Sequence, residues 1–232
     1  MSKRSKRYQQ AAELVEEDKQ YGLEDAVGII KKFPAPKFDP TVTLSFKLGV
    51  DARKSEQMVR GSVALPHGTG KQVKVVVFAT GDAAKAAEDA GADEVGMEDL
   101  IKKVQDGYTD FDAAIATPDA MLEVRKIARV LGPRGLMPNP KTGTVTEDTA
   151  AAINAVKAGR IDYKLDKNGN IAAAVGKASF SEEKLTANST ALIESVIKAK
   201  PPTAKGNYIQ NVTITASMCP GVALESSLYV TI

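Results

Sequence analysis

The sequence predicts a discontinuous α+β domain carrying an inserted α/β domain, the two joined by a two-segment hinge. Three observations predict it. Thr41 to Leu48 alternates polar and apolar residues, the mark of a half-exposed strand. From Val73 the rhythm changes to continuous apolar runs separated by helical stretches, which argues a parallel core buried on both faces. Two stretches, LPHGTGKQ from Leu65 and AGR from Ala158, interrupt any regular element. The expected boundaries are 1–67 and 160–232 for the outer domain and 68–159 for the insertion, with Pro66, Gly68, Gly70 and Gly159 as hinge residues.

Composition narrows the class. No apolar run in the 232 residues approaches the roughly 20 needed to cross a bilayer, so no membrane partner is expected. The start, MSKRSKRYQQ, is basic but no apolar stretch follows, which argues against a secretory signal. Cys219 is the only cysteine; it excludes an internal disulfide and suits a reducing cytoplasm. The net charge of +2 is unevenly spread. Residues 1–67 hold 12 Lys and Arg against 9 Asp and Glu, and residues 160–232 hold 8 against 6, while residues 68–159 hold 11 against 14. The outer parts together are therefore the better polyanion binder.

In chain order, residues 2–7, SKRSKR, place four cations in six positions, which suits a solvated tail or an RNA-touching arm. Residues 8–19 and 23–32 read as two helices separated by Gly22, the second striped by Leu23, Val27 and Ile30. FPAPKFDP, with three prolines, must be extended or turned. In the strand that follows, Val42, Leu44, Phe46 and Leu48 share one face, and Thr41, Thr43, Ser45 and Lys47 the other. Hydroxyls and amines on such a face can address phosphates and ribose 2′-hydroxyls, or simply meet water. Arg53, Lys54 and Arg60 follow with little acid to balance them.

The inserted part reads as strand KVVVFAT, helix GDAAKAAEDAGA, short strand DEV, helix MEDLIKKVQDG, strand FDAAIAT, helix PDAMLEVRKIARVLG, and a last helix TEDTAAAINAVKAG opened by Thr146. Beyond it, Asn168-Gly169 between two extended runs predicts a hairpin, with Lys164 and Lys167 near its turn. SEEKLTANSTALIESVIKAK is a long amphipathic helix with Leu185, Leu192 and Val196 inward. NYIQNVTITASM and VALESSLYVTI form a closing hairpin across Cys219-Pro220-Gly221, with Tyr208, Val212, Ile214, Val230 and Ile232 in the core.

The most unusual stretch is VLGPRGLMPNPKTGTVT, Val130 to Thr146, with three glycines, three prolines, Arg134 and Lys141. Alternating residues that open and close φ shape a defined loop rather than a loose linker. It is not a nucleotide phosphate loop: Lys141 follows Pro140, which has no amide to give a phosphate. No GxGxxG follows the first inserted strand, and no cofactor is expected. His67, the only histidine, and Cys219 cannot make a metal set without carboxylates at recognised spacing. Asp110 and Asp112 flank Phe111 just before a buried strand and read as a strand cap. The alternative to a binding protein is an α/β enzyme acting on a small phosphorylated substrate.

The loop LGPRGLMPNPKTGTV, Leu131 to Val145, resembles the signature of the ribosomal protein L-one family, the first-numbered protein of the large subunit. KFDPTV (37–42), VRGSVALPHGTGK (59–71), AGADEVG (90–96), FDAAIATPDAM (111–121) and KAGRIDYKLDKNG (157–169) agree with it, and the bacterial form is the nearest. The resemblance implies a discontinuous RNA-binding domain and an inserted Rossmann-like domain without a cofactor. It implies no enzyme but a cytoplasmic protein on the large subunit, forming the mobile stalk. Its expected partners are the 23S rRNA stalk region, the deacylated exit-site tRNA and its own operon mRNA leader, whose translation it represses; free of the ribosome it is expected to be a monomer. The family's RNA-contacting surface falls here on Lys37, Phe38, Thr41, Thr43, Lys167, Ser217 and Met218. The late loop usually reads Thr-Met-Gly; here it is Ser217-Met218-Cys219, so a side chain stands where RNA backbone is expected close by. Arg53, Lys54, Arg60 and Lys164 join this surface on charge alone, and Arg134 and Lys141 are expected to form a second RNA surface on the inserted domain.

Overall fold

The structure is a computed structural model, and it describes residues 4–16, 18–204 and 206–229. Ser2, Lys3, Val230 and Ile232, which figure in the basic tail and the core expectations, lie outside the described residues. The chain divides into two compact units, residues 1–70 with 161–232, and residues 71–160. The arrangement is mixed α/β with three sheets.

In the first unit, α1 (Lys6–Ala12) is capped by the Ser5 hydroxyl, which accepts from the Tyr8 amide at 3.3 Å. It stops short of the expected residue 19. Glu13, Glu16 and Asp18 would crowd negative charge at the helix end where the carbonyls already point, and Asp18 turns left-handed at φ 66°. α2 (Leu23–Lys32) has Glu24 and Asp25 in its first turn and Lys31 and Lys32 in its last, both favourable to the helix dipole.

β1 (Thr41–Leu48) is an inner strand of the main sheet. With β7 (Asn170–Lys177), β8 (Ile209–Ala216) and β9 (Gly221–Leu224) it forms an antiparallel sheet in the order β7-β1-β8-β9. Val42, Leu44, Phe46 and Leu48 are buried, together with Ile171, Val175, Val212, Ile214, Val222 and Leu224. They pack against α2 and α8 (Glu182–Lys198), whose Leu185, Leu192 and Val196 are buried as expected. The alternation of β1 thus places one whole face under two helices. The run after β9 is not a longer strand but a 3-10 turn at Ser226–Tyr229.

Two short strands form a separate sheet, β2 (Arg60–Ala64) beside β6 (Arg160–Lys164). This corrects the expected hairpin. The turn around Asn168-Gly169 is tight, with Asp166 N donating to Asn170 O at 2.8 Å and Gly169 at φ 79°, but it links strands of two different sheets. Asp166 ties the turn: its carboxylate accepts from the amides of Asn170 at 2.7 Å and Asn168 at 2.8 Å. The Asn170 amide above all holds this carboxyl below its usual range. A lowered folded pKa stabilises above the unfolded value of about 3.9 and is lost as pH falls through the folded value. Asp166→Asn should therefore be slightly less stable than the parent near neutrality, by less than about 1 kcal/mol because the site is exposed, and the gap should narrow as pH falls into the acid range. Denaturant titration at pH 6 and pH 3 measures both; a gap that widens in acid contradicts it.

The second unit is a three-stranded parallel sheet in the order β4-β3-β5, from β3 (Val75–Phe78), β4 (Glu94–Gly96) and β5 (Ala113–Ala116). All four residues of β3 are buried, because Val75 and Val77 face one core and Val76 and Phe78 the other. The first core is covered by α3 (Asp82–Asp89) and α7 (Thr149–Lys157), the second by α4 (Glu98–Gln105), α5 (Met121–Val124) and α6 (Ala128–Arg134). Asp112 accepts from the Lys74 amide and pairs with Lys71 at 2.5 Å, while Asp110 pairs with Lys74 at 2.6 Å, so both aspartates fasten strand ends. Burial works against ionising Asp112, but the Lys71 ammonium and the Lys74 amide win and hold its carboxyl low.

The glycine-proline stretch departs from the expected loop. The preceding helix runs on through Gly132 and Pro133 to Arg134 and ends at Gly135, φ 74°. Gly135 N bonds Gly132 O, and Leu136 N bonds Leu131 O, both at 3.1 Å. That pair of bonds with a left-handed glycine is the Schellman ending, which needs the glycine where the helix stops. The last helix of this unit opens at Asp148, whose side chain accepts from Ala151 N, and not at Thr146; the Thr146 hydroxyl accepts from Asp148 N instead.

Candidate nucleic-acid interface

The sheet face turned away from α2 and α8 is built by the polar half of each alternation. Thr43 stands opposite Thr215 and Ser45 opposite Thr213 across β1 and β8. On the outer side, Thr43 neighbours Ala174 and Ser45 neighbours Ala172 of β7. Across β8, Thr215 neighbours Gly221 and Thr213 neighbours Ala223 of β9. Four hydroxyls thus form a square bordered by residues no larger than alanine, which leaves the face low. The hydroxyls of Thr43, Ser45 and Thr213 have no hydrogen-bond partner among the described residues, while Thr215 donates to Ala216 O. Hydroxyls that both donate and accept can meet phosphates and 2′-hydroxyls alike.

Thr41 marks one end of this face. Its hydroxyl accepts from Lys177 Nζ at 2.9 Å, and its carbonyl accepts from Ser217 N at 3.0 Å and Ser217 Oγ at 3.3 Å. Ser217 and Met218 are therefore drawn to Thr41 although 176 residues separate Ser217 from it. Met218 is 69% exposed and left-handed at φ 62°; Phe38 is 46% exposed, and Lys37 is exposed beside it. The loop carrying Lys37 and Phe38 is fixed through Asp39, which accepts from Ser179 N and Oγ, and α2 is fixed to the same turn by Lys31 Nζ on the Ala178 and Phe180 carbonyls. A cavity of 380 Å³ lined by Phe33, Pro34, Phe38 and Cys219 lies beneath this end. The Cys219 side chain lines that cavity and packs against the core.

The expected site residues do not form one cluster. Lys37, Phe38, Thr41, Ser217 and Met218 come together at the Thr41 end, and Thr43 lies one step along the face. Lys167 sits in the Asp166–Gly169 turn at the other end of β1, where Lys47 Nζ reaches Asn168 O at 2.5 Å. Six residues of β1 separate the two ends, roughly 20 Å at about 3.4 Å per residue. Arg53 and Lys54 are exposed in the turn after β1, and Arg60 and Lys164 lie on the two-stranded sheet. In the second unit, Arg134 donates to the Thr109 hydroxyl, and the side chain of Lys141 lies outside the described residues. Of the positions expected at a hinge, Gly68, Gly70 and Gly159 have positive φ, and Pro66 is exposed.

Thr213 and Thr215 were missed as site residues, though NVTITA carries the signal: if Val212 and Ile214 point inward, the threonines between them must point out. A groove of 560 Å³ between α1 and the β8–β9 strands, lined by Arg4, Tyr8, Asn211 and Gly221, also had no sequence signal. Arg4 stacks on Tyr8 there, 4.8 Å from the ring centre.

A flat hydroxyl-lined sheet backed by two helices, in a chain of two mixed α/β units, defines a protein that presents a surface. The chain belongs to the Ribosomal protein L1p/L10e family, which matches residues 30–220. It is 55% identical over 225 residues to the large ribosomal subunit protein uL1 of Saccharopolyspora erythraea, covering 97% of this chain and 94% of that protein. It is 52% identical over 225 residues to the protein of the same name from Lactiplantibacillus plantarum, covering 97% and 98%. The family is one of ribosomal proteins and not of enzymes, so the alternative of an enzyme for a small phosphorylated substrate is set aside. No helix among the described residues is long and apolar enough to cross a membrane.

Proposed function

We propose that this chain, a constituent of the large ribosomal subunit in the cytoplasm, binds 23S rRNA directly through the open face of its main sheet. The observation that carries the reading is the square of hydroxyls around Thr43, three of the four side chains without a partner among the described residues, with Ser217 and Met218 held beside it. Such a face recognises folded RNA by shape, 2′-hydroxyls and phosphates, since side chains cannot read the narrow major groove of A-form RNA. Lys37, Lys47, Lys167 and Lys177 supply cations along it. In this reading the first unit anchors the chain to the stalk region, and the inserted unit, joined at Gly70 and Arg160, swings with the stalk and assists release of deacylated tRNA from the exit site. The same face takes an operon mRNA leader that mimics the ribosomal site, which makes the free monomer a translational repressor.

The test is a titration of the full chain with a 23S stalk fragment at several salt concentrations. Log K is expected to fall with log salt at a slope of about −1.4 to −3.6, as for two to four neutralised phosphates, with an operon leader competing for the same site. Binding no tighter than to a scrambled RNA of the same length overturns the reading.

A further inference from the structure

We propose that Arg7 is a positioning residue for RNA binding: its guanidinium fixes the two loops at the Thr41 end of the open face and does not itself meet RNA. The proposal rests on the open face being the RNA site. Arg7 belongs to the basic run SKRSKR, for which the sequence leaves open a solvated tail or an RNA-touching arm. Its neighbours Arg4 and Lys6 are exposed, but Arg7 is half-buried. Its Nη2 donates to Met218 O at 3.0 Å, and its Nη1 to Pro34 O at 3.4 Å and Cys219 Sγ at 3.8 Å.

Those acceptors lie on two loops. One leads from Pro34 through Lys37 and Phe38 to Thr41; the other is the Ser217–Pro220 connection between β8 and β9. A planar fork with several donors can hold both from one rigid group, which a lysine ammonium on a flexible stem cannot reproduce. The clamp is needed at Met218. A left-handed backbone is disfavoured for any residue with a Cβ. The loop's own bonds, Ser217 N to Thr41 O and Cys219 N to Ala216 O, fix the positions on either side. Among the described residues, the Met218 carbonyl is held by Arg7. The Arg7 guanidinium is thus turned onto protein acceptors, and α1 becomes part of the site's frame.

The experiment compares the full-length parent with Arg7→Ala and Arg7→Lys. Each is titrated with the 23S stalk fragment across a salt series, and methyl spectra are recorded without RNA. Arg7→Ala is expected to bind about tenfold more weakly, because RNA must then supply the loop ordering that about 1.4 kcal/mol of intramolecular hydrogen bonding supplied before, with the salt slope unchanged. Arg7→Lys is expected to recover little. A slope shallower by about 0.7 to 0.9 would mean a lost phosphate contact and overturn the proposal, as would unchanged affinity. In the free chain the Met218 methyl signal should move in Arg7→Ala while Ile171 and Ile115 stay in place, which shows both units still folded; an unmoved Met218 overturns the clamp. Failure of the parent to bind the fragment would remove the RNA reading, and the Met218 signal would still decide the clamp.

Discussion

Thr43→Val with Thr213→Val should leave the chain as stable as its parent and reduce its affinity for a 23S stalk fragment by about ten- to a hundredfold. Valine has the shape of threonine and favours strands, so the sheet has no reason to yield. Neither hydroxyl is engaged within the protein among the described residues, so no internal hydrogen bond is lost. The unfolding free energy should change by no more than about 0.5 kcal/mol. What disappears is two groups that can bond phosphate or ribose. An ordinary hydrogen bond contributes about 0.5 to 1.5 kcal/mol net, so two contribute about 1 to 3 kcal/mol, and about 1.4 kcal/mol is tenfold. Filter binding and thermal melting of the same preparation read both halves. A double variant that binds like the parent would move the RNA site off this face. The charge-reversed Lys85→Glu, at an exposed position of α3 in the second unit, is the control and should bind the fragment normally.

Asn188→Leu should destabilise the first unit by about 2 to 4 kcal/mol. Asn188 is fully buried on α8 and uses its amide on both sides. Its oxygen accepts from His67 N at 3.1 Å, and its nitrogen donates to Gly68 O at 2.9 Å and Val175 O at 2.7 Å. Leucine fills a similar volume but leaves one donor and two acceptors without partners. Each unsatisfied buried group costs about 1 to 3 kcal/mol, less where water can enter, as it can near His67 and Gly68. Asn188→Asp would keep the acceptor for His67 N but face two carbonyls with a carboxylate, and should do no better. Hydrogen exchange of the β7 amides reads the first unit separately from the second. A loss below about 1 kcal/mol would show that the three bonds are readily replaced.

Asn188 also shows where legibility ended. A lone asparagine in an amphipathic helix looks like a solvated position, and nothing in TANSTA indicates that it holds a loop some 120 residues earlier. Periodic elements were readable because burial imposes period: β1 from alternation, α8 from its apolar stripe, β3 from an unbroken apolar run. β2 was unreadable for the opposite reason. Gly61 reads as a break, yet it is there because the Tyr163 ring lies against it; a Cβ at 61 would come within 2.6 Å of the Tyr163 hydroxyl. The Asn168-Gly169 turn was read correctly as a turn and wrongly as a hairpin, since turn chemistry fixes local geometry but not which sheet receives each strand. The hydroxyl face was read on β1 and missed on β8, although the same alternation carries it there. The bonds from Arg7 to Met218 and Cys219 were not readable, because a cation's sequence neighbours say nothing about which way its side chain turns.

The position of β1 between β7 and β8 sets an order of events during synthesis. Its partners are residues 170–177 and 209–216, so the residues of β1 leave the ribosome long before anything they can pair with exists. Residues 71–160 are contiguous and can collapse on their own in the meantime. Until the last strands arrive, TVTLSFKL is an apolar, unpaired ribbon, the kind of segment nascent-chain chaperones cover. The platform is therefore the last part of the molecule to come into being, and translation pauses before residue 209 would prolong its most vulnerable stage.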